Sequence, residues 1–142
     1  LVTGCQLIGQ LGGGVLGDRL DKRLLCIICM VAHTVALLIL AYASSSLEVV
    51  IFAVLHGLAW GVRGPLMVAL RADYFGAASF GTIMGFSSLI VMLGMSLGPI
   101  VAGLFADHYG NYQVGLMVLA IAAFFGSFCF LAAKRPGPIT AT

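Results

Sequence analysis

Four apolar runs, at 24–43, 47–70, 81–106 and 113–133, govern what this chain can fold into. The hydrocarbon core of a bilayer is about 30 Å thick, so a spanning helix needs about 20 apolar residues, and each run meets that length. Inside a bilayer no water is at hand for a free backbone N–H or C=O, so the runs must be helices, which satisfy their own backbones. A fifth run, 1–17, reads as part of another helix. Composition points the same way: 61% of residues are hydrophobic and 8% charged, against about 25% charged in a soluble domain. The expected fold class is an all-α integral membrane protein, a polytopic bundle of transmembrane helices. The chain opens on Leu1, with no basic leader and small-residue cleavage site before the first run. It is therefore read as a fragment lacking upstream helices, not as a chain with a signal peptide.

The loops set the orientation. Arg19, Lys22 and Arg23 lie in the first, Arg71 in the third, and Lys134 and Arg135 in the tail, while 44–48 and 107–111 hold no Lys or Arg. Lys and Arg concentrate on the cytoplasmic side. This places 18–23, Arg71 and a tail at 134–142 in the cytoplasm, the other two loops outside, and the protein in the plasma (inner) membrane. Cys26 and Cys29 have C-x-x-C spacing but fall inside an apolar helix with no second pair, so they read as small buried or lipid-facing residues. No phosphate-binding loop, metal cluster or nucleophile beside a base is visible. The expectation is a protein that is not an enzyme, uses no cofactor or metal, and binds no nucleic acid.

Charge is crowded into 18–23, between two oily segments, where its basic groups can face anionic headgroups. The glycines before it and the two aspartates within it exceed what a solvated loop requires. The stretch GVLGDRLDKR, 14–23, resembles the signature loop G-x-L-x-D-R-x-G-R-[KR] of the major facilitator superfamily. That resemblance implies a part of a 12-helix transporter, with a cytoplasmic gating loop of Gly14, Asp18, Arg19, Lys22 and Arg23. It further implies a latch joining Asp18, Lys22 and Asp73. Asp21 takes the usual glycine position, and since Asp tolerates a left-handed backbone better than most residues, the turn is expected to survive there.

The likeness continues along the chain. HGLAWGVRGP at 56–65, followed by RADYFG at 71–76, is similar to the family's fourth or tenth helix and the loop after it. Gly85, Gly94, Gly98, Pro99 and Gly103 follow the antiporter pattern G-x8-G-x3-G-P-x2-G-G, with Ala102 in place of the first of the final glycines. That pattern belongs to a fifth helix, although Gly-Pro elements also occur in eleventh helices. The step DHYGNY at 107–112, into a last helix ending in AAKRP, favours the carboxyl-terminal half, helices eight (partial) to twelve, over helices two to six. The missing amino-terminal half would be the partner.

Independently of family, Gly57, Gly61 and Gly64 share one helical stripe and Gly94 and Gly98 another, and such stripes let helix backbones approach closely in lipid. Gly64-Pro65 and Gly98-Pro99 should weaken or kink their helices. Arg63 is the most informative residue. At about 1.5 Å per residue, a helix from about residue 49 to 70 puts it a few ångströms to the cytoplasmic side of the midplane, where an arginine costs about 2.5–3.5 kcal/mol to insert. It must then face a cavity or a partner, unless it snorkels to the surface. His56, Trp60 and Arg63 share one face at i, i+4, i+7, and the resemblance turns that face toward the substrate. His33, alone in an oily helix, is expected to bond a neighbour's backbone. Gln6, Gln10, Ser87 and Ser88 line the pathway or join helices.

Two functional readings follow. The first is a secondary transporter of a small organic anion, such as a carboxylate, with Arg63 as the positive anchor and His56 and Trp60 shaping the site. Protons, if coupled, fall to His56 or to the missing half. The second is a proton-linked exporter of apolar drugs; a non-transporting scaffold is the more distant alternative.

Overall fold

The computed structural model describes residues 1–76 and 79–133. Among the described residues there are five helices: α1 Val2–Arg19, α2 Lys22–Ala41, α3 Ser46–Phe75, α4 Phe80–Tyr109 and α5 Gln113–Ala132. Helices α2 to α5 are long and apolar enough to cross a membrane. The 134–142 tail, with Lys134 and Arg135, lies outside the described residues.

Four helices outrun the apolar segments that announced them. α1 continues past 17 to Arg19 and α2 begins at Lys22, so Asp18, Arg19, Lys22 and Arg23 stand on helix ends and only Leu20 and Asp21 lie between the helices. α3 continues past 70 to Phe75, so Arg71 and Asp73 sit on its last turns and not in a loop. α4 continues past 106 to Tyr109 and stops at Gly110, whose φ of 73° is the left-handed conformation that terminates helices. Hydropathy marks the oily part of a helix, whereas the backbone hydrogen bonds persist into the polar turns beyond it.

The helix starts are written in short polar motifs. At the start of α3 the Ser45 hydroxyl accepts from the Glu48 N–H at 3.4 Å, and the Glu48 carboxylate accepts from the Ser45 N–H at 2.9 Å. This is a reciprocal capping box. At the start of α2 the Asp21 carboxylate accepts from the N–H groups of Arg23 and Leu24, at 2.8 and 3.1 Å. Asp21 has φ −62° and ψ 114°, extended and not left-handed. The expected left-handed turn is therefore absent: Asp in the glycine position acts as an N-cap.

Packing runs through small residues. α1 lies along α3, α2 between α3 and α5, and α4 against α5 with a lighter touch on α3. The α1–α3 seam is a clasp of glycines. A Cβ on Gly13 would stand 2.7 Å from the Val62 Cα, one on Gly57 would stand 2.5 Å from the Val2 carbonyl oxygen, and one on Gly61 would collide with the Gln6 carbonyl oxygen. Gly57 and Gly61 thus pack closely against α1, whose buried stripe is Gly9, Gly13 and Gly17. Gly64, Gly94, Gly98 and Gly103 do not, because a Cβ at each meets nothing within 4 Å. Among the described residues they are not packing glycines. The close approach of α4 instead falls at Ala102, whose Cα lies 2.8 Å from a Cβ built on Gly115 of α5. α4 buries none of its residues within the bundle, and its helix is unbroken through Pro99, as α3 is through Pro65.

Candidate functional site

Residues Cys26, Cys29, His33 and Ala36 form the buried stripe of α2, spaced 3, 4, 3 along the helix, and this stripe faces the bundle. Cys26 and Cys29 are accordingly core residues. The same geometry overturns the expectation for His33, which is 5% exposed and bonds a side chain, not a backbone. Its Nδ1 lies 3.2 Å from the Nδ1 of His56 on α3.

Around that pair the aromatic stripe of α3 assembles. The His33 and His56 ring centroids are 4.6 Å apart. Trp60 is 5.9 Å from His33 and 6.2 Å from His56 between centroids, stacked with the latter. The Arg63 guanidinium carbon then stands 4.9 Å from the Trp60 ring centroid, a cation–π contact. His56, Trp60 and Arg63 are thus brought together as their spacing indicated, and His33 joins them from the neighbouring helix.

These four side chains form one wall of a cavity of about 710 Å³ between α2, α3, α4 and α5. Its other walls are oily: Met30, Leu37 and Leu40 from α2, Phe52 from α3, Val91 and Met95 from α4, Leu116 and Leu119 from α5. Gly94, Gly98 and Pro99 also line it, so the α4 glycines keep that wall thin where they leave a seam unfilled. A smaller cavity of about 250 Å³, lined by Arg63, Gly64, Arg71 and Ser88, adjoins toward the end of α3. Arg63 stands at the junction of the two. Neither cavity has an Asp or Glu in its lining. Gln6, Gln10 and Ser87 line neither cavity; the backbones of Gln6 and Gln10 meet Gly61 instead.

Two buried polar atoms near this cluster have no hydrogen-bond partner among the described residues: Arg63 Nε and His33 Nε2. A buried donor left unpaired costs about 1–3 kcal/mol. Among the described residues no helix-end carbonyl accepts from the Arg63 Nε.

Where α1 ends and α2 begins, Lys22 Nζ lies 2.6 Å from Asp73 Oδ2 near the end of α3. Arg23 donates to the carbonyl oxygens of Phe130 and Leu131 at 2.9–3.3 Å, tying the end of α5 to the start of α2. Asp18, the third member expected of the latch, makes no hydrogen bond or ion pair among the described residues. No signal in the sequence pointed to the Arg23 contact, since 107 residues separate its partners.

Residues 1–141 match the family model of the Major Facilitator Superfamily. The chain belongs to that superfamily, as an all-α integral membrane protein. It is 32% identical over 117 residues to a multidrug resistance protein B homolog of Mycobacterium tuberculosis, covering 78% of this chain and 22% of that protein. It is 28% identical over 131 residues to the MFS transporter asaE of Aspergillus flavus, covering 87% of this chain and 30% of the relative. It is 30% identical over 128 residues to the glucose-6-phosphate exchanger SLC37A2 of Xenopus tropicalis, covering 87% and 26%. The chain thus spans less than a third of the length of these relatives. No solved structure matches it significantly. The family points to a transporter and away from an enzyme.

Proposed function

We propose that this chain is part of a secondary active transporter whose substrate is a small organic anion with an apolar body, such as a carboxylate. The observation that carries this reading is the environment of Arg63: a guanidinium on the wall of an oily cavity, with a buried Nε that, among the described residues, has no partner and no acid in the lining to neutralise it. A carboxylate would meet that guanidinium in a charge-assisted contact, which offsets part of the desolvation of both groups. Trp60 and His56 would shape the pocket beside it, and the Met, Leu and Phe walls would receive the apolar part. A relative named as a glucose-6-phosphate exchanger carries an anionic substrate in its name, which is compatible with the anchor.

In this proposal the chain is the carboxyl-terminal half, with the opposite wall of the pathway supplied by an amino-terminal half, in a plasma membrane with the carboxyl terminus cytoplasmic. Gly14, Asp18, Arg19, Lys22, Arg23 and Asp73 form its cytoplasmic gating region. Asp18, unpaired within the described residues, is offered to the other half. Gly64-Pro65 and Gly98-Pro99 serve as bending points.

A second reading, proton-linked export of apolar drugs, draws on the mostly oily lining and on relatives named as multidrug resistance proteins. Uptake of radiolabelled benzoate by the full-length transporter in proteoliposomes separates the two. On the anion reading Arg63→Gln abolishes uptake and Arg63→Lys restores part of it, because a compact ammonium lacks the planar fork. Full uptake by the glutamine variant rejects the reading.

A further inference from the structure

Nothing in the anion-binding reading requires His33, yet it is buried at 5% exposure, with one ring nitrogen facing His56 and the other without a hydrogen-bond partner among the described residues. An apolar side chain of similar size would fill the place without stranding a polar atom. The arrangement is one that can hold a proton. Two imidazoles meeting Nδ1 to Nδ1 at 3.2 Å cannot present two lone pairs or two N–H groups to each other, so in the neutral pair one ring donates and the other accepts. The donating ring keeps a free lone pair on Nε2. A proton from water adds there, no bond within the pair breaks, and the resulting imidazolium retains the same Nδ1–H···Nδ1 bond, now charge-assisted. A second proton would set N–H against N–H and separate the rings. The pair therefore takes one proton.

We propose that His33 and His56 form a one-proton site whose occupancy is linked to the anion at Arg63, making the transporter a proton–anion symporter. The proposal rests on the anion reading above. Trp60 is the shared neighbour: both imidazoles lie within 6.2 Å of its ring centroid and the guanidinium carbon within 4.9 Å. The other ionisable groups facing the pair are few. On α2 these are Cys29 and Cys26, one and two turns before His33. On α3, Arg63 is on the same face, with Arg71 two turns beyond it across the smaller cavity. α4 and α5 contribute only uncharged residues to the lining. With the site empty, the Arg63 cation repels a proton on the pair. A bound carboxylate cancels that charge, and by reciprocity the proton favours the carboxylate as much as the carboxylate favours the proton. Proton and anion then cross together, with no acid in this lining needed to carry the proton.

The test uses the purified full-length transporter in detergent, with Trp60 as its single retained tryptophan and benzoate as the probe. Benzoate affinity is read from Trp60 fluorescence between pH 5.5 and 8, and proton uptake from a pH-indicator dye in weak buffer. One linked proton predicts that benzoate binding tightens as pH falls, by up to about tenfold per pH unit, with up to one proton taken up per benzoate bound. His33→Gln should flatten the pH dependence while leaving benzoate bound; His56→Gln should flatten it as well. The dye measurement needs only the wild type, so a variant that fails to fold does not decide the matter. Benzoate binding with no proton uptake overturns the symport proposal and leaves the anion reading standing. Survival of the pH dependence in both glutamine variants overturns it equally. Absence of benzoate binding at every pH overturns the anion reading, and the linkage with it.

Discussion

Replacing Gly13 by Ala tests the glycine clasp that seats α3, and with it Arg63, against α1. A Cβ on Gly13 would stand 2.7 Å from both the Cα and the carbonyl oxygen of Val62. Carbon contacts relax at about 3.5–4.0 Å, so the two helices must part by about 1 Å. Neither Val62 atom can swing aside, because both are backbone. Forcing extra volume into such a contact costs about 1–3 kcal/mol. Gly12, next along the helix, supplies the control: a Cβ there meets nothing within 4 Å. Alanine at that position removes only the helix penalty of glycine, a gain of about 0.5–1 kcal/mol. The helix gain is common to both variants, which should therefore differ by about 1–3 kcal/mol. SDS titration of the full-length transporter in mixed micelles, followed by far-UV circular dichroism, measures the difference. Equal stability for the two variants would refute the clasp.

Three further outcomes follow from the contacts of Lys22 and Arg23 and from the loops. Arg23→Gln removes the donors to Phe130 and Leu131 and should speed amide exchange in the last turn of α5 by roughly tenfold, given about 1.5 kcal/mol for hydrogen bonds to a charged group; hydrogen-exchange mass spectrometry reads it. Lys22→Met breaks the ion pair with Asp73, whose side chains are 28% and 32% exposed, and should cost less than about 1 kcal/mol. Its effect is expected instead in the ratio of inward to outward transport rates, measured in oriented vesicles. Single cysteines at Leu20 and Ser45 should react with an impermeant maleimide from opposite sides of the membrane.

The spans were legible because apolar runs of about 20 residues have few alternative explanations. Their ends were less so: α3 continues through Arg71 and Asp73, where the helix leaves the lipid while its backbone bonds persist. The α3 start was written in the sequence as Ser45-x-x-Glu48, a capping box that hydropathy overlooks. The stripe of His56, Trp60 and Arg63 could be seen because it lies on one helix at fixed spacing. His33 could not be attached to it, since its partner sits across an interface that a single sequence does not reveal. The buried spacing of Cys26, Cys29, His33 and Ala36 was the one available hint. The glycines show the same limit. Gly57 and Gly61, and Gly94 and Gly98, have identical spacing, but the first pair faces α1 and the second faces the cavity. Spacing names the face of a helix and says nothing of what stands opposite it.

Everything proposed for the cavity depends on Arg63 selecting a negative charge. Benzoate and benzamide are nearly the same shape, and at pH 7 only benzoate is charged, so the ratio of their dissociation constants in the full-length transporter measures that selection. The wild type should bind benzoate at least about tenfold more tightly, equivalent to about 1.4 kcal/mol, and Arg63→Gln should bring the ratio to about one. Equal binding of the two by the wild type, or a preference for benzoate that persists in Arg63→Gln, would contradict a charge-selecting role for Arg63.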